Sequence, residues 1–271
     1  MSNFLELVKS RRSVRTFDGN MPDDAVIDEL KAFSESIVNP FGNSVRFVFL
    51  DAEKNKLSSP VLAGEKLYVS AITEKKENAD VAYGYAFEAL LMHAHEKGLG
   101  TVWIGGTMPR DKFESASGLS ENEIMPCISP LGGVAKKMSV KESLMRKGVK
   151  ADNRLDFEEI FFDGDFTTPL TKGKAMGVGL ADTLESVRLA PSAVNKQPWR
   201  VVICPGAAHF FVKHDKGFTT ADYDLQRIDV GIALYHFERE LIEEGRKPVL
   251  EIADPKIVTP DQVDYVATYR W

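Results

Sequence analysis

The 271-residue chain is 44% hydrophobic and 27% charged, with a net charge of −6. That is the balance of an ordinary globular protein with a sizeable core, and the negative charge argues against nucleic acid as a partner. Two cysteines, Cys127 and Cys204, make neither a disulfide framework nor a metal spacing, and no apolar run approaches the ~20 residues of a membrane span.

The first residues lack the apolar core of a signal peptide. A cytoplasmic protein in a reducing compartment, with no membrane partner, is therefore the expectation. The opening MSNFLELVKS reads instead as a short amphipathic helix with Phe4, Leu7 and Val8 on one face. Just past its end, KSRRSVRTFDG (9–19) gathers Arg11, Arg12, Ser13 and Arg15. Clustered guanidiniums and a hydroxyl suit a phosphate, since Arg offers paired planar donors. A basic patch neutralising a helix C-terminus is the other reading.

Residues 23–38 carry a helical pattern, NPFGN a turn, and VRFVFLD (45–51) an apolar strand. A second helix, 80–100, is apolar nearly all round and should be deeply buried. It leads into GLGTVWIGG (98–106), a predicted buried strand ending in Gly105–Gly106, where backbone amides can approach a ligand closely. SPLGGVAKKMS (129–139) places Lys136 and Lys137 after a second Gly-Gly, in position to add to an anion site or to form a solvated loop. Residues 146–177 have polar, glycine-rich ends like a linker, with LDFEEIFFDGDF in the middle suited to a strand. The expected boundary lies near 165, giving halves 1–165 and 166–271. GKAMGVGLAD (173–182) fits neither a phosphate loop nor a dinucleotide fingerprint. A helical pattern follows at 179–190.

Then comes LAPSAVNKQPWRVVI (189–203). Its two prolines fix φ and remove donors. They bias Ala190 and Gln197 to extended backbone, so the stretch is a rigid polar loop before the strand 200–204. The helix 229–247 closes the series, with Glu238, Arg239, Glu240, Glu243 and Glu244 as its solvated face.

The order helix, turn, strand, then long helix thus occurs twice. Gly84 to Gly98 and Gly231 to Gly245 are both 14 positions apart, and Arg46 and Arg200 each begin a strand. The histidines show no ligand spacing, and no nucleophile–base pairing is evident. Anion-binding residues and rigid loops without an acid, base or nucleophile favour a borrowed reagent, a cofactor.

Taken together, RRSVRTFDG, APSAVNKQPWRVV, the buried helix running into GLGTVWIGG, and PLGGVAKK followed by RLDFEEIFF resemble the nitroreductase family of FMN-dependent oxidoreductases. They span most of the chain. The usual order differs: the Pro-Ser loop ordinarily follows soon after the arginines, where this chain has NPFGNSVRF. The first half keeps the arginines and WIGG, and the second keeps the loop. This resembles the fused, pseudo-dimeric branch of the family.

The resemblance implies an α+β fold of two similar halves, each with a mixed or antiparallel sheet flanked by helices, related by an internal pseudo-two-fold. It implies one FMN site composed from both halves, with the second site dead, and a monomer. Arg11 and Arg12 would meet the FMN phosphate with Ser13 nearby, and Lys136 or Lys137 would add a contact. Arg15 would approach the flavin near N1 and O2. Ile104, Gly105 and Gly106 would line it through backbone. Pro191, Ser192, Ala193 and Asn195 would pack on and bond to the isoalloxazine and ribityl, with Gln197 and Trp199 as buttresses. LDFEEIFF would add a strand to the second half's sheet. The implied reaction is ping-pong hydride transfer from NAD(P)H through the flavin N5 to a small electron-poor acceptor such as a nitroaromatic or quinone. No side chain is catalytic in it beyond Arg15 as charge stabiliser. Two rival expectations are an FMN-binding sensor or carrier without turnover, and a non-flavin scaffold with a basic patch.

Overall fold

The structure is a computed structural model and describes residues 4–271. The chain forms two compact units. One runs from Arg11 to Ala151, and the other joins the chain up to Ser10 to Asp152–Trp271.

Helix α1 (Phe4–Ser10) buries Phe4, Leu5 and Val8. Leu5, not the expected Leu7, completes its apolar side, because α1 beds against two helices of its own unit (described below) rather than presenting a single stripe. The Arg11–Ala151 unit then holds α2 (Asp24–Ser36), β1 (Val45–Asp51), β2 (Leu67–Glu74), α3 (Ala79–Glu96), α4 (Arg110–Ala116), β3 (Glu123–Ile124), β4 (Ile128–Leu131) and α5 (Val140–Gly148). β1 and β2 pair antiparallel from Val45 opposite Thr73 to Asp51 opposite Leu67. β3 and β4 both pair antiparallel with β2. β2 is therefore central, and all its residues but Glu74 are buried. Tyr68 and Ile72 on β2 pack with Val102, Ile104, Phe113 and Ile128 in one core cluster. α3 is as buried as its composition demands, with Ala82, Tyr85, Phe87, Leu90, Leu91 and Ala94 all inside. The segment 98–106 is not a regular strand. It runs extended and makes only single bridges, Gly100 to Gly132 and Ile104 to Ile128 among them.

The other unit continues with α6 (Phe157–Ile160), β5 (Phe161–Asp163), α7 (Lys172–Gly177), α8 (Ala181–Leu189), β6 (Trp199–Cys204), β7 (Ala207–Lys213), α9 (Leu225–Glu243), β8 (Val249–Glu251) and β9 (Val263–Arg270). Its sheet has the order β5-β6-β7-β9-β8. β5 pairs parallel with β6 and the other pairs are antiparallel. α9 starts at Leu225, four residues before the expected start. The Asp224 carboxylate caps it by accepting from the backbone N–H groups of Gln226 and Arg227. Phe210, Phe237 and Tyr269 pack ring to ring between α9 and the sheet.

The compact units do not follow the expected halves 1–165 and 166–271. The physical reasons are the docking of α1 on α8 and α9 and the pairing of β5 with β6, which carry both segments into the second unit. That pairing is the strand addition expected of LDFEEIFF, although Phe157–Ile160 forms a helical turn first. The succession helix, strand, antiparallel strand, long helix occurs in each unit, as α2–β1–β2–α3 and α8–β6–β7–α9. Glu240 departs from the solvated face assigned to α9: it is buried.

Candidate functional site

The predicted site residues fall in both units. In the Arg11–Ala151 unit, residues 13–17 form an extended segment laced to three others. Val14 N donates to Thr101 O (2.9 Å), Phe17 N to Ala63 O (2.8 Å), and Asp18 N to Gly133 O (2.9 Å). Ala63 N and Ala135 N donate back to Arg15 O and Thr16 O. Two glycines permit this approach. A Cβ at Gly64, where φ is +81°, would lie 2.5 Å from Phe17 O, and one at Gly100 would lie 2.8 Å from Val14 Cγ1.

Side chains alternate across an extended segment, and this sorts the arginines. Arg12 and Thr16 share one side and meet Glu142 of α5. Arg12 Nη1 donates to Glu142 Oε1 (2.8 Å) and the Thr16 hydroxyl to Oε2 (2.7 Å). Glu142 is itself buried, and its backbone N–H donates to the Ser139 hydroxyl at the start of α5. Arg12 thus neutralises an internal carboxylate through Nη1. Arg11, Ser13 and Arg15 share the other side. Arg11 Nε, Arg15 Nε and Arg15 Nη1 are buried and have no hydrogen-bond partner. Burial holds both guanidiniums below their ordinary pKa, and Arg146 adds repulsion to each, while Glu88 opposes the shift at Arg11 and Glu142 at Arg15. Buried cationic donors without acceptors are costly. A group carrying phosphate and carbonyl oxygens fits them.

Ile104 is a core residue that exchanges two 2.9 Å backbone bonds with Ile128. Gly105 is hemmed in, since a Cβ there would meet Cys127 Sγ at 3.1 Å, whereas Gly106 is exposed and faces open space. Lys136 and Lys137 are both exposed, and the bonds that fix their loop run through the backbone of Gly133 and Ala135.

In the other unit, the loop between α8 and β6 is rigid by strain as well as by proline. Ala190 is extended, as expected before Pro191. Gln197, also before a proline, is instead left-handed at φ 51°, as are Val194 (42°) and Asn195 (60°). Such backbone costs of order 1–3 kcal/mol per residue and persists only where its surroundings over-determine it. Here Gln197 N donates to Ser192 Oγ (2.8 Å), Gln197 Oε1 accepts from Leu155 N (2.9 Å), and Gln197 Nε2 donates to Asn195 O (3.1 Å). These bonds override the pre-proline bias and give Gln197 the buttressing place expected of it, with Trp199 fully buried beside it in sequence. The Asn195 side chain is turned to its own unit, donating to Asn153 O (3.0 Å) and accepting from Arg154 Nη1 (3.3 Å).

Sequence reading passed over Asp229. It is buried in α9, and its two carboxylate oxygens accept from Ala193 N at 3.0 and 3.1 Å. Burial pushes its carboxyl well up, against the pull of that N–H. The available signal was an acid set between Ile228 and Val230 in an otherwise apolar run. No group of three or more metal-ligating side chains occurs among the described residues, and none of their helices is long and apolar enough to cross a membrane.

The sequence matches the family model described as "Putative TM nitroreductase" over residues 3–240. No curated protein matches it. Among solved structures, one described as a "putative nitroreductase" from Thermotoga maritima superposes with a TM-score of 0.63 over 99% of this chain and 92% of its own, at 19% identity. Two proteins of Clostridium difficile superpose on little more than half of it. A nitroreductase family protein covers 58% of this chain and 95% of its own, with a TM-score of 0.46 and 17% identity. An FMN-dependent nitroreductase covers 54% of this chain and 96% of its own, with a TM-score of 0.42 and 19% identity. The full-length likeness establishes an α+β, nitroreductase-like fold, and the match over most of its length means that this chain belongs to the "Putative TM nitroreductase" family.

Proposed function

We propose that the chain binds one FMN and acts as an oxidoreductase, taking electrons from NAD(P)H and passing them to a small electron-poor acceptor. The observation that carries the reading is the set of buried nitrogens without an acceptor, Arg11 Nε and Arg15 Nε and Nη1, in a chain of nitroreductase fold. When bound, FMN supplies two-electron transfer between a nicotinamide and a nitroaromatic or quinone.

The chain's own residues bind and orient. Arg11, with Ser13 on the same side, would hold the phosphate, helped by Lys136 or Lys137. Arg15 would stand at the pyrimidine edge, where a fixed cation stabilises the negative charge that reduction brings. Ile104, Gly105 and Gly106 would line the flavin through backbone. Pro191, Ser192 and Ala193 would offer it a surface that cannot yield, because the loop is pinned by Asp229 and Gln197. Asn195, committed to Asn153 and Arg154, would contribute shape more than side-chain bonding. Arg12 drops to a supporting place through Glu142.

The test is anaerobic oxidation of NADH or NADPH by the FMN-loaded protein on addition of a nitrofuran or a quinone. Turnover that requires both partners supports the reading. Flavin binding without any donor oxidation contradicts it.

A further inference from the structure

The one helix of the Arg11–Ala151 unit whose outer face is apolar is α5. Its inward side carries Glu142, bonded to Arg12 and Thr16. Its outward side carries Val140 and Leu144, one turn apart and 79% and 64% exposed. Met138, just before the helix, is 40% exposed. A surface helix ordinarily does the reverse, burying its apolar stripe and exposing charge. The exposed lysines Lys141 and Lys147 lie on either side of the Val140–Leu144 pair.

The charge of this stretch is as unusual as its apolar face. Between Val134 and Lys150 the lysines Lys136, Lys137, Lys141 and Lys147 are all exposed, and the single acid of the stretch is Glu142. Glu142 is buried and ion-paired with Arg12, so it does not offset them at the surface. The chain as a whole carries a net charge of −6. A local cationic surface with apolar side chains among its lysines, on an otherwise acidic protein, is matched by one kind of surface in particular. An anionic lipid interface takes the lysines at its headgroups and the short apolar side chains at its acyl boundary. The stretch from Val134 to Lys150 has no aromatic ring on which a nucleobase would stack.

We propose that the exposed face of Met138–Lys150 docks this protein peripherally on an anionic membrane surface. Docking needs no span: the lysines supply attraction that falls within a Debye length, and Val140 and Leu144 enter only the headgroup boundary. The proposal stands apart from the flavin reading and survives its failure.

Co-sedimentation with lipid vesicles tests it. The full chain is expected to sediment at low salt with phosphatidylcholine vesicles containing about one-third phosphatidylglycerol, and to stay in solution with phosphatidylcholine alone. Raising the salt to about 0.5 M releases it. The Lys141→Ala/Lys147→Ala variant binds ten- to thirty-fold more weakly, at about five-fold per lysine. Val140→Ser/Leu144→Ser loses about ten-fold at unchanged charge. All four side chains are exposed; Val140→Ser/Leu144→Ser should melt like wild type and Lys141→Ala/Lys147→Ala close to it, since Lys141 also donates to Pro60 O, and the salt response of the unaltered chain is independent of either. Failure of wild type to sediment with anionic vesicles at low salt overturns the proposal. So does equal binding to neutral vesicles, or full binding by both variants. Retention on immobilised polyglutamate without vesicle binding would overturn it in favour of an acidic protein partner.

Discussion

Arg12 and Arg15 have the same side chain, three positions apart, and the fold gives them different surroundings. Alternation along an extended segment turns Arg12 to Glu142 and leaves two nitrogens of Arg15 buried without acceptors. Arg12→Ala should therefore cost stability, by roughly 3 kcal/mol, since it strands a buried carboxylate; FMN affinity should change little. Arg15→Ala should do the reverse, weakening FMN or slowing its reduction by about ten- to a hundred-fold, the value of a charge-assisted bond. Thermal melts and a flavin titration of the two variants distinguish these outcomes. An Arg15→Ala protein that kept FMN and reduced it as fast as wild type would remove Arg15 from the site. The cluster itself was legible in the sequence. The different surroundings of its members were not, because nothing in RRSVRTF says that the segment is extended or that Glu142 lies 130 positions away on one of its sides.

Asp229 of α9 holds the strained loop through Ala193 N. Its raised carboxyl pKa means that the fold disfavours the ionised form. Asp229→Asn retains an acceptor for Ala193 N and should melt higher than wild type at neutral pH and above, with the gain fading in acid. Asp229→Ala leaves that N–H unpaired and should forfeit about 1–3 kcal/mol relative to Asp229→Asn. Equal melting of the two variants would mean that the carboxylate does not hold the loop.

At the scale of elements, α1 is tied down by α9. Phe4 packs edge-on against Tyr235 and His236, and its N–H donates to Glu243 Oε2 (2.8 Å). Glu240, one turn earlier, accepts from Leu5 and has its carboxyl pushed up to about 7, by burial first and then by Glu243, Glu244 and Asp182. The ordinary value is 4.5. Because the folded state resists ionisation there, Glu240's contribution to stability falls as pH rises from 4.5 to about 7 and is level on either side. Glu240→Gln should remove that fall. It should match wild type in acid and exceed it by about 1–3 kcal/mol above pH 7, at about 1.4 kcal/mol per pKa unit. Parallel melting curves from acid to alkaline pH would show that Glu240 does not titrate across this range.

Which elements could be read from the sequence follows from their surroundings. β1, half-buried along most of its length, matched its expected range. So did the burial of α3, whose apolar positions leave no solvated face. β2 and β7 were passed over: each is buried on both faces except at its last residue. Without alternation, a short apolar run has no period to identify it. The expected strand at 98–106 failed for a related reason. It is apolar and extended, but backbone bridges tie it at isolated points where glycines bring other segments close.

At the scale of the whole molecule, the repeat was visible as spacing, while the division into compact units was not. α1 and the segment from Asp152 to Asp163 belong with the second unit through packing and a parallel strand pair, and neither is encoded locally. The family match and the full-length likeness establish what the chain is built like. The proposed function requires one flavin per chain, because a well-formed Pro-Ser loop occurs once and the arginine segment occurs once. Titration of the protein with FMN, followed by its absorption near ~450 nm and by release on denaturation, tests this most directly. Saturation is expected at one FMN per chain, with bleaching on anaerobic addition of NADH or NADPH. Protein that is colourless and leaves added FMN unbound would contradict it, as would saturation at two.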